Sequence, residues 1–456
     1  LPIILNKESD KERKMKIKEI ASGEIGNAII DKNWGTFADN LKAPVHRWFK
    51  YPAGYSYKFV DNIIAEYSLD EESWVLDPFV GCGTTSVEAK RLGVNSIGIE
   101  LHPFVYRVAL AKTFWEFNIS ELKKVVTDFI EDLRTEIKKT RLSSIDLSNF
   151  PELLHKCYSY ENLARLKIIR EHIIKKISDE RTRDLLNLCL TDCLRSASRA
   201  GTGWPYIAPT KYQEKYEKDA FIMFQKTTYR MVEDLTRILY TKSRKRIETI
   251  LIEGDAREPQ EINHGRIDIA ITSPPYLNNF DYADRTRLEL YFFNHASTWG
   301  DISRNIRNKL MMAATTQVNR SDFDQKRPLS EFIKAISKPV YDELNEKIKE
   351  LGRIRLKKGG KKSYDYMVAG YFNDMGKVLF QVYKYLKKGG RFILVLGDSA
   401  PYGVHIPTER YLGMLALGLG YWDSEIRVLR TRGKKWRNNP QRHKVLLKES
   451  ILMLSK

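Results

Sequence analysis

"VLDPFVGCGTTSVEAKRLGVNSIGIE", residues Val75 to Glu100, is the stretch from which the fold can be read. A short apolar strand ends at Asp77, a turn follows with Gly81 and Gly83, "TTSVEAKRLG" opens a helix, and a second strand ends at Glu100. Glycines in such a turn let a ligand approach the backbone, and an acid closing the next strand can accept from ribose hydroxyls. Glu100 lies near the roughly 20-residue separation this arrangement needs. Two glycines alone would also describe an ordinary tight strand-to-helix turn. A nicotinamide-dinucleotide site would require a third glycine where this chain has Ser86, and Asp77-Pro78-Phe79 is no part of that fingerprint.

The same alternation continues along the chain. "WVLD" (Trp74 to Asp77), "SIGIE" (Ser96 to Glu100), "TILIEGD" (Thr249 to Asp255), "IDIAIT" (Ile267 to Thr272) and "RFILVLGD" (Arg391 to Asp398) are nearly continuous apolar runs. Strands of a parallel sheet covered on both faces have this character. "EIRVLR" (Glu425 to Arg430) and "ESILMLS" (Glu449 to Ser455) are suited to close the sheet as an antiparallel pair. Apolar residues at helical spacing from Gly376 to Leu386 precede the stop signal Lys387-Lys388-Gly389-Gly390. The expected fold is α/β, a doubly wound, Rossmann-like sheet.

Two insertions divide it. Residues 1–112 hold the N-terminal segment and the first part of the catalytic unit, and 113–247 form a helical insertion rich in Leu, Ile, Arg and Lys. Residues 248–294 return to the sheet, 295–372 form a polar, basic insertion, and 373–456 complete the catalytic unit. "AATTQVNRSDFDQKRP" within the second insertion is expected to be a mobile loop.

The strand at Ile267–Thr272 ends unusually, on Ser273-Pro274-Pro275-Tyr276. Proline has no amide hydrogen and fixes φ, so the backbone here is stiff and continues neither a sheet nor a helix freely. The Ser273 and Pro274 carbonyls are left to accept hydrogen bonds, and Tyr276 adds a flat face. Such a corner suits a planar ring bearing an amine. Asp281, Tyr282 and Arg285 follow at spacings that suit the floor of such a pocket or a phosphate clamp, and equally a helix start with solvated charges.

Composition narrows the class. Hydrophobic content of 42% and charged content of 30% are those of a globular protein, and no run approaches the roughly 18 apolar residues of a membrane span. "LPIILNKESDKERKMK" at the N-terminus is too briefly apolar for a secretory signal, and the chain does not begin with methionine, as after processing or trimming. Cys82, Cys157, Cys189 and Cys193 are irregularly spaced, which suits a reducing compartment, hence a cytoplasmic location. Cys189 and Cys193 read as half-buried thiols on one helical face rather than zinc ligands, and no metal is expected. His46 and His405 read as structural.

With 77 basic against 58 acidic residues the net charge is +19, which points to a polyanion partner. The basic residues are densest in "RILYTKSRKR" (Arg237 to Arg246), "RIRLKKGGKK" (Arg353 to Lys362) and "RVLRTRGKKWRNNPQRHK" (Arg427 to Lys444). "RSASRAGTGWPY" (Arg195 to Tyr206) suits a phosphate-facing helix end and an aromatic wedge, although Trp204 and Tyr206 are equally suited to packing.

"DPFVGCGTT" followed by "GIE" resembles the S-adenosyl-L-methionine loop of the amino-group DNA methyltransferases, and "TSPPY" resembles their catalytic motif, in the form with serine first that looks like the cytosine-N4 branch. "HRWFKYPAGYSYKFVDNII" (His46 to Ile64) is similar to the family segment over the methionine end of the cofactor. "IEGDAR", "KGGRFILVLGDS" and the closing "LLKESILMLSK" resemble later strands of the family. The resemblance implies that Asp77, Pro78, Phe79, Gly81, Gly83, Thr84 and Thr85 line the cofactor. It gives Glu100 the ribose, Asp255 with Ala256 the adenine, and Ser273, Pro274, Pro275 and Tyr276 the target base. In this chain the cofactor loop precedes the catalytic motif, whereas many members of that branch have the reverse order, so the resemblance does not locate the recognition region.

The expected function is therefore transfer of a methyl group from S-adenosyl-L-methionine to the N4 amine of a cytosine flipped from double-stranded DNA, in restriction–modification or host marking. A cognate restriction endonuclease would be the partner in the first setting. The alternatives are adenine-N6 methylation, RNA methylation, and nucleic-acid binding without catalysis.

Overall fold

The computed structural model describes residues 17–20, 31–51, 54–201, 207–212, 217–241, 246–324, 326–432 and 445–456. Trp204, Tyr206, Trp436 and the basic stretches 242–245 and 433–444 lie outside the described residues.

Eight strands form the main sheet: β1 (Ile17–Ile20), β2 (Trp74–Asp77), β3 (Asn95–Glu100), β6 (Thr249–Glu253), β7 (Ile267–Thr272), β8 (Leu386–Gly397), β9 (Asp423–Arg432) and β10 (Leu447–Ser455). β4 (Ala200–Gly201) and β5 (Ala208–Tyr212) make a separate antiparallel pair. The spatial order is β1-β9-β10-β8-β7-β2-β3-β6, with β10 alone antiparallel to its neighbours. The strands expected at Trp74–Asp77 and Ile267–Thr272 have those bounds, and β9 and β10 form the closing antiparallel pair.

The central strands β2, β3 and β7 and the second half of β8 are largely apolar because both faces are covered there. Val75, Ile269, Ile271, Ile393 and Val395 point to one side, where helix Tyr57–Glu66 packs Phe59, Val60, Ile63 and Ile64. Leu76, Ala270, Phe392, Leu394 and Leu396 alternate to the other, against Met367, Phe372, Met375 and Leu379 of helix Tyr364–Tyr385. That helix runs through position 372, where the second insertion was expected to end.

The chain moves outward from β2 through β3 to β6, then returns to place β7 on the other side of β2. The carboxyl ends of β2 and β7 therefore flank a topological switch point, where open α/β sheets bind ligands.

Both insertions share the body's cores. Residues 113–247 are mostly helical: Ile119–Lys139, Glu152–Cys157, Tyr160–Lys176, Glu180–Ala197 and Ala220–Thr241. Their buried side chains join Trp48, Phe104 and Phe292 in one cluster. Arg47 Nε and Trp48 Nε1 both donate to Asp234 Oδ2, at 2.9 and 3.0 Å, tying the N-terminal segment to the last of these helices. Cys189 and Cys193 are fully buried in this cluster, not half-buried, and burial pushes the Cys189 thiol up to about 12. All four cysteines are free, and among the described residues no group of three or more His, Cys, Asp or Glu side chains could hold a metal. Nor is any described helix long and apolar enough to cross a membrane.

The stretch from Ala313 that was expected to be a mobile loop is anchored. Asn279, in the left-handed region at φ 62°, accepts from Thr315 N and Thr315 Oγ1 at 2.8 and 2.9 Å. Asp281 Oδ2 accepts from Thr316 Oγ1 at 2.8 Å and from Arg307 Nε at 2.6 Å. Ala313 and Ala314 are buried. Polar side chains that suggested solvent instead staple this segment to the turn after Tyr276.

Candidate functional site

Asp77 closes β2 and organises the switch point from below. It is buried, and its carboxylate accepts four hydrogen bonds. Oδ1 takes Thr272 Oγ1 at 2.6 Å and Phe79 N at 3.0 Å; Oδ2 takes Thr85 Oγ1 at 2.5 Å and Tyr55 Oη at 3.2 Å. The bond to Thr272 crosses from β2 to β7, directly under Ser273. One acid thus couples the glycine loop, the helix after it and the strand bearing the Ser-Pro-Pro-Tyr corner. Burial raises the Asp77 carboxyl despite these donors.

Above Asp77 the loop turns through Gly81, at φ 53°, where a β-carbon would meet nothing nearer than the Phe79 carbonyl at 3.8 Å. The Gly81 amide donates to Glu100 Oε2 at 3.0 Å, and the His102 amide donates to Oε1 at 2.7 Å. Two fixed backbone donors orient this carboxylate at the end of β3. Burial lifts it to about 7, with the His102 and Gly81 amides pulling the other way and Asp77 adding to the rise.

These groups wall a cleft of about 870 Å³, counting its open mouth. Of the residues expected from the sequence, it brings together Pro78, Phe79, Gly81, Thr84, Glu100, Asp255, Ala256, Ser273 and Pro275. Asp255 stands opposite Glu100's strand, and its carboxylate is gripped by Arg257, whose Nε and Nη2 donate to Oδ2 at 3.0 and 2.6 Å. Arg257 is itself braced by Asp374 at 3.0 Å.

Five expected residues do not line the cleft. Asp77 and Thr85 lie beneath it, consumed by their mutual bond. Gly83, at φ 88°, faces helix Pro103–Thr113 instead: an added β-carbon would sit 3.5 Å from Ala109. That is an ordinary contact, so what calls for glycine here is the left-handed backbone, not the space around it. Pro274 is buried beside the cleft. Tyr276 leans away. Its hydroxyl donates to Glu449 Oε1 at 3.1 Å, and the Arg432 guanidinium lies 5.5 Å from its ring centre, so one face of the ring is already covered.

The cleft also recruits residues absent from the expected set, among them Tyr51, Tyr55, Ile99 and Met311, and Tyr282, whose spacing suited a pocket floor, lines it as well. Tyr51 and Tyr55 belong to the segment between His46 and Ile64, so their part was signalled there. Asn40 straps that segment to the loop, donating through Nδ2 to Tyr55 O at 3.0 Å and Thr84 Oγ1 at 3.3 Å. Tyr282 accepts from the Tyr276 amide at 3.2 Å, which pins the turn after the two prolines. Arg285, read as a solvated charge or phosphate clamp, is buried and donates to the Lys50 carbonyl at 3.1 Å. His46 pairs with Glu88 at 3.1 Å and His405 with Asp398 at 2.7 Å.

The donor set suits a nucleoside with an attached amino-acid chain. An oriented carboxylate, an open glycine and the aromatic rings of Phe79, Tyr51 and Tyr55 share one cleft with apolar Ile99, Ala256 and Met311. Residues 3–111 match the DNA methylase family, which takes in enzymes acting on adenine N6 and on cytosine N4 alike. The chain is 25% identical over 452 residues to the Type II methyltransferase M.BsoBI of Geobacillus stearothermophilus, spanning 92% of this chain and 87% of that protein. It is 24% identical over 432 residues to M.AvaI of Nostoc sp., spanning 87% and 83%. A shorter stretch of 80 residues is 36% identical to M.MjaII of Methanocaldococcus jannaschii, 17% of this chain and 15% of that protein. The family match and these Type II relatives support an amino-group DNA methyltransferase, with S-adenosyl-L-methionine as the cofactor such enzymes use.

Proposed function

We propose that this methyltransferase acts on the N4 amine of cytosine, flipped out of double-stranded DNA at a short specific sequence, within a restriction–modification system or related host marking. The observation that carries this reading is the placement of Ser273 and Pro275 on the same cleft as Glu100 and Gly81, at the switch point. Serine, rather than an acid or amide, opens the motif, which favours cytosine. The Type II relatives support the restriction–modification setting, with a cognate endonuclease as partner and the cytoplasm as the place of action.

In this reading Glu100 accepts from the ribose hydroxyls, Asp255 and Ala256 border the adenine, and Pro78, Phe79, Gly81 and Thr84 line the remainder. Asp77, Thr85 and Gly83 act from behind, by holding the loop. Bound S-adenosyl-L-methionine supplies a methyl group on a sulfonium that is its own leaving group. The protein's task is positioning. The exocyclic amine of a base is a poor nucleophile because its lone pair is delocalised into the ring. Ser273 Oγ and the Pro274 carbonyl accept its two N–H bonds and favour a pyramidal nitrogen. A paired base cannot reach this corner, so it is flipped out and stacks on the face of Tyr276 opposite Arg432.

Incubating the protein with cofactor and unmethylated DNA, then digesting to nucleosides, should yield N4-methylcytosine by mass spectrometry. N6-methyladenine in its place would overturn the choice of base, and no methylated nucleoside would overturn the activity.

Glu100 makes cofactor binding depend on pH. Its ordinary value is 4.5 and its folded value about 7. Between those limits the unliganded folded chain holds the extra proton, so this group's contribution to stability falls as pH rises across the window. Ribose hydroxyls donate to the ionised form, so cofactor affinity should weaken below pH 7, and binding at pH 6 should release a proton. Calorimetry at pH 6 in two buffers of different ionisation heat measures that proton, and Glu100→Gln should abolish it.

The net charge of +19 is expected to act on phosphates, chiefly through residues 353–362 and 427–444. DNA affinity should fall at least about tenfold between roughly 50 and 200 mM salt. Fluorescence anisotropy across that range checks this, and a flat response would leave the charge without a role in binding. Residues 295–372 are the preferred reader of the target sequence, because they follow the catalytic corner and are stapled to it through Asn279 and Asp281.

A further inference from the structure

We propose that Glu449, on the last strand of the sheet, is a positioning residue for the target base: it holds the Tyr276 hydroxyl and so sets the tilt of the ring on which that base stacks. This rests on the reading of Tyr276 as the stacking residue.

Three independent features converge on Glu449. Its carboxylate is 2% exposed, yet it is neither a cofactor ligand nor part of the motif, and it bridges two elements. Oε1 accepts from Tyr276 Oη at 3.1 Å, while Oε2 accepts from Arg430 Nε at 2.5 Å. A buried carboxylate is costly unless paired and hydrogen-bonded, and here each oxygen has one such partner. Second, the β9–β10 ladder slips register between Glu449 and Ser450, an irregularity of the kind that re-aims a side chain beside an active site. Third, Gly35 leaves the space the carboxylate occupies: a β-carbon there would lie 2.7 Å from Glu449 Cδ.

The surroundings reinforce the arrangement. Arg432, two residues after Arg430, covers one face of the Tyr276 ring and is anchored by donating to the Asp398 carbonyl at 2.5 Å. Burial pushes the Tyr276 phenol well above its ordinary range, with Glu449 adding to the rise, so the hydroxyl stays protonated and donates. A tyrosine ring turns about two torsions. Packing by Arg432 limits one degree of freedom, and the bond to Glu449 limits the rest. Tyr276 is therefore oriented before the base arrives, by a hairpin more than 170 residues further along the chain.

The test measures single-turnover methyl transfer on target DNA with cofactor and DNA saturating, together with cofactor affinity and the fluorescence of a base analogue at the target position. Tyr276→Phe keeps the ring and removes only the hydroxyl. It should slow transfer about tenfold, the scale of one hydrogen bond to a charged group, with cofactor affinity unchanged. Glu449→Ala should match it, the double variant should be no slower than either alone, and Glu449→Gln, which keeps an acceptor oxygen, should recover most of the rate. If Tyr276→Phe transfers at the parental rate while Tyr276→Ala is slow, the positioning role is overturned and the stacking reading stands. If Tyr276→Ala is also at the parental rate, the base site itself is misplaced. Should Glu449→Ala fail to fold, Glu449→Asp, whose shorter side chain withdraws the acceptor from the hydroxyl, takes its place, and a parental rate there overturns the positioning role.

Discussion

Asp77→Ala should lower the stability of the folded chain by about 2–5 kcal/mol and weaken cofactor binding with it. Four donors lose their acceptor: Thr272 Oγ1, Thr85 Oγ1, Tyr55 Oη and Phe79 N. A buried donor left unsatisfied costs about 1–3 kcal/mol. The sum is less than four such terms, because Tyr55 and Thr85 also bond to each other and the threonine hydroxyls can turn to backbone carbonyls. Asp77→Asn keeps the shape and one acceptor oxygen, and should cost roughly half as much. Urea denaturation followed by circular dichroism reads the stability difference. Calorimetry should show the cofactor affinity falling in parallel, because the freed Phe79 amide no longer fixes the approach to Gly81. Unchanged stability in Asp77→Ala would mean that the switch point is held by packing alone.

The second large effect lies in the transfer step. Tyr276→Ala removes an aromatic–base contact worth about 1–3 kcal/mol, which corresponds to a roughly 5- to 150-fold slower single-turnover rate if the stacking is made in the transition state. Cofactor affinity should change little, since Glu100, Gly81 and Asp255 stand on other strands. Ser273→Ala keeps the corner's shape and removes one acceptor for the amine, so it should depress transfer more than DNA affinity. Setting single-turnover rates beside separate cofactor and DNA affinities distinguishes these outcomes. Two parental rates would reduce Ser273-Pro274-Pro275-Tyr276 to a rigid end for β7.

The structure changes what conservative substitutions at this site mean. From the sequence, Tyr276→Phe is mild, because only the flat ring matters. With the hydroxyl held by Glu449, the same substitution removes the bond that tilts the ring. Gly83→Val would place a branched side chain in left-handed backbone at φ 88°, facing Ala109 of the neighbouring helix rather than the cleft. Its effect on the cofactor would come through the displaced loop.

Local chemistry determined much of this protein from the sequence alone. The central strands were legible because a sheet buried on both faces needs nearly continuous apolar runs, as in Ile267–Thr272. The glycine loop and the proline corner were legible because backbone geometry there depends on the residue itself. Glu100 and Ser273 followed, as the residues that end those strands. Side-chain direction did not follow, because it is decided by what packs nearby. Asp77 reads as a cofactor ligand until Thr272, Thr85 and Tyr55 are seen to use its oxygens. Ala313 to Pro328 reads as a mobile loop until Asn279 and Asp281 are seen to hold its start at Thr315 and Thr316. Met311 and Glu449 carry no local sign of the partners they meet. Only the sheet order, which sets β7 between β2 and β8 and brings β10 beside β8, carries the last hairpin to the proline corner. Burial then fixes which hydrogen bond each polar group must make, because one left unmade there costs more than one facing water.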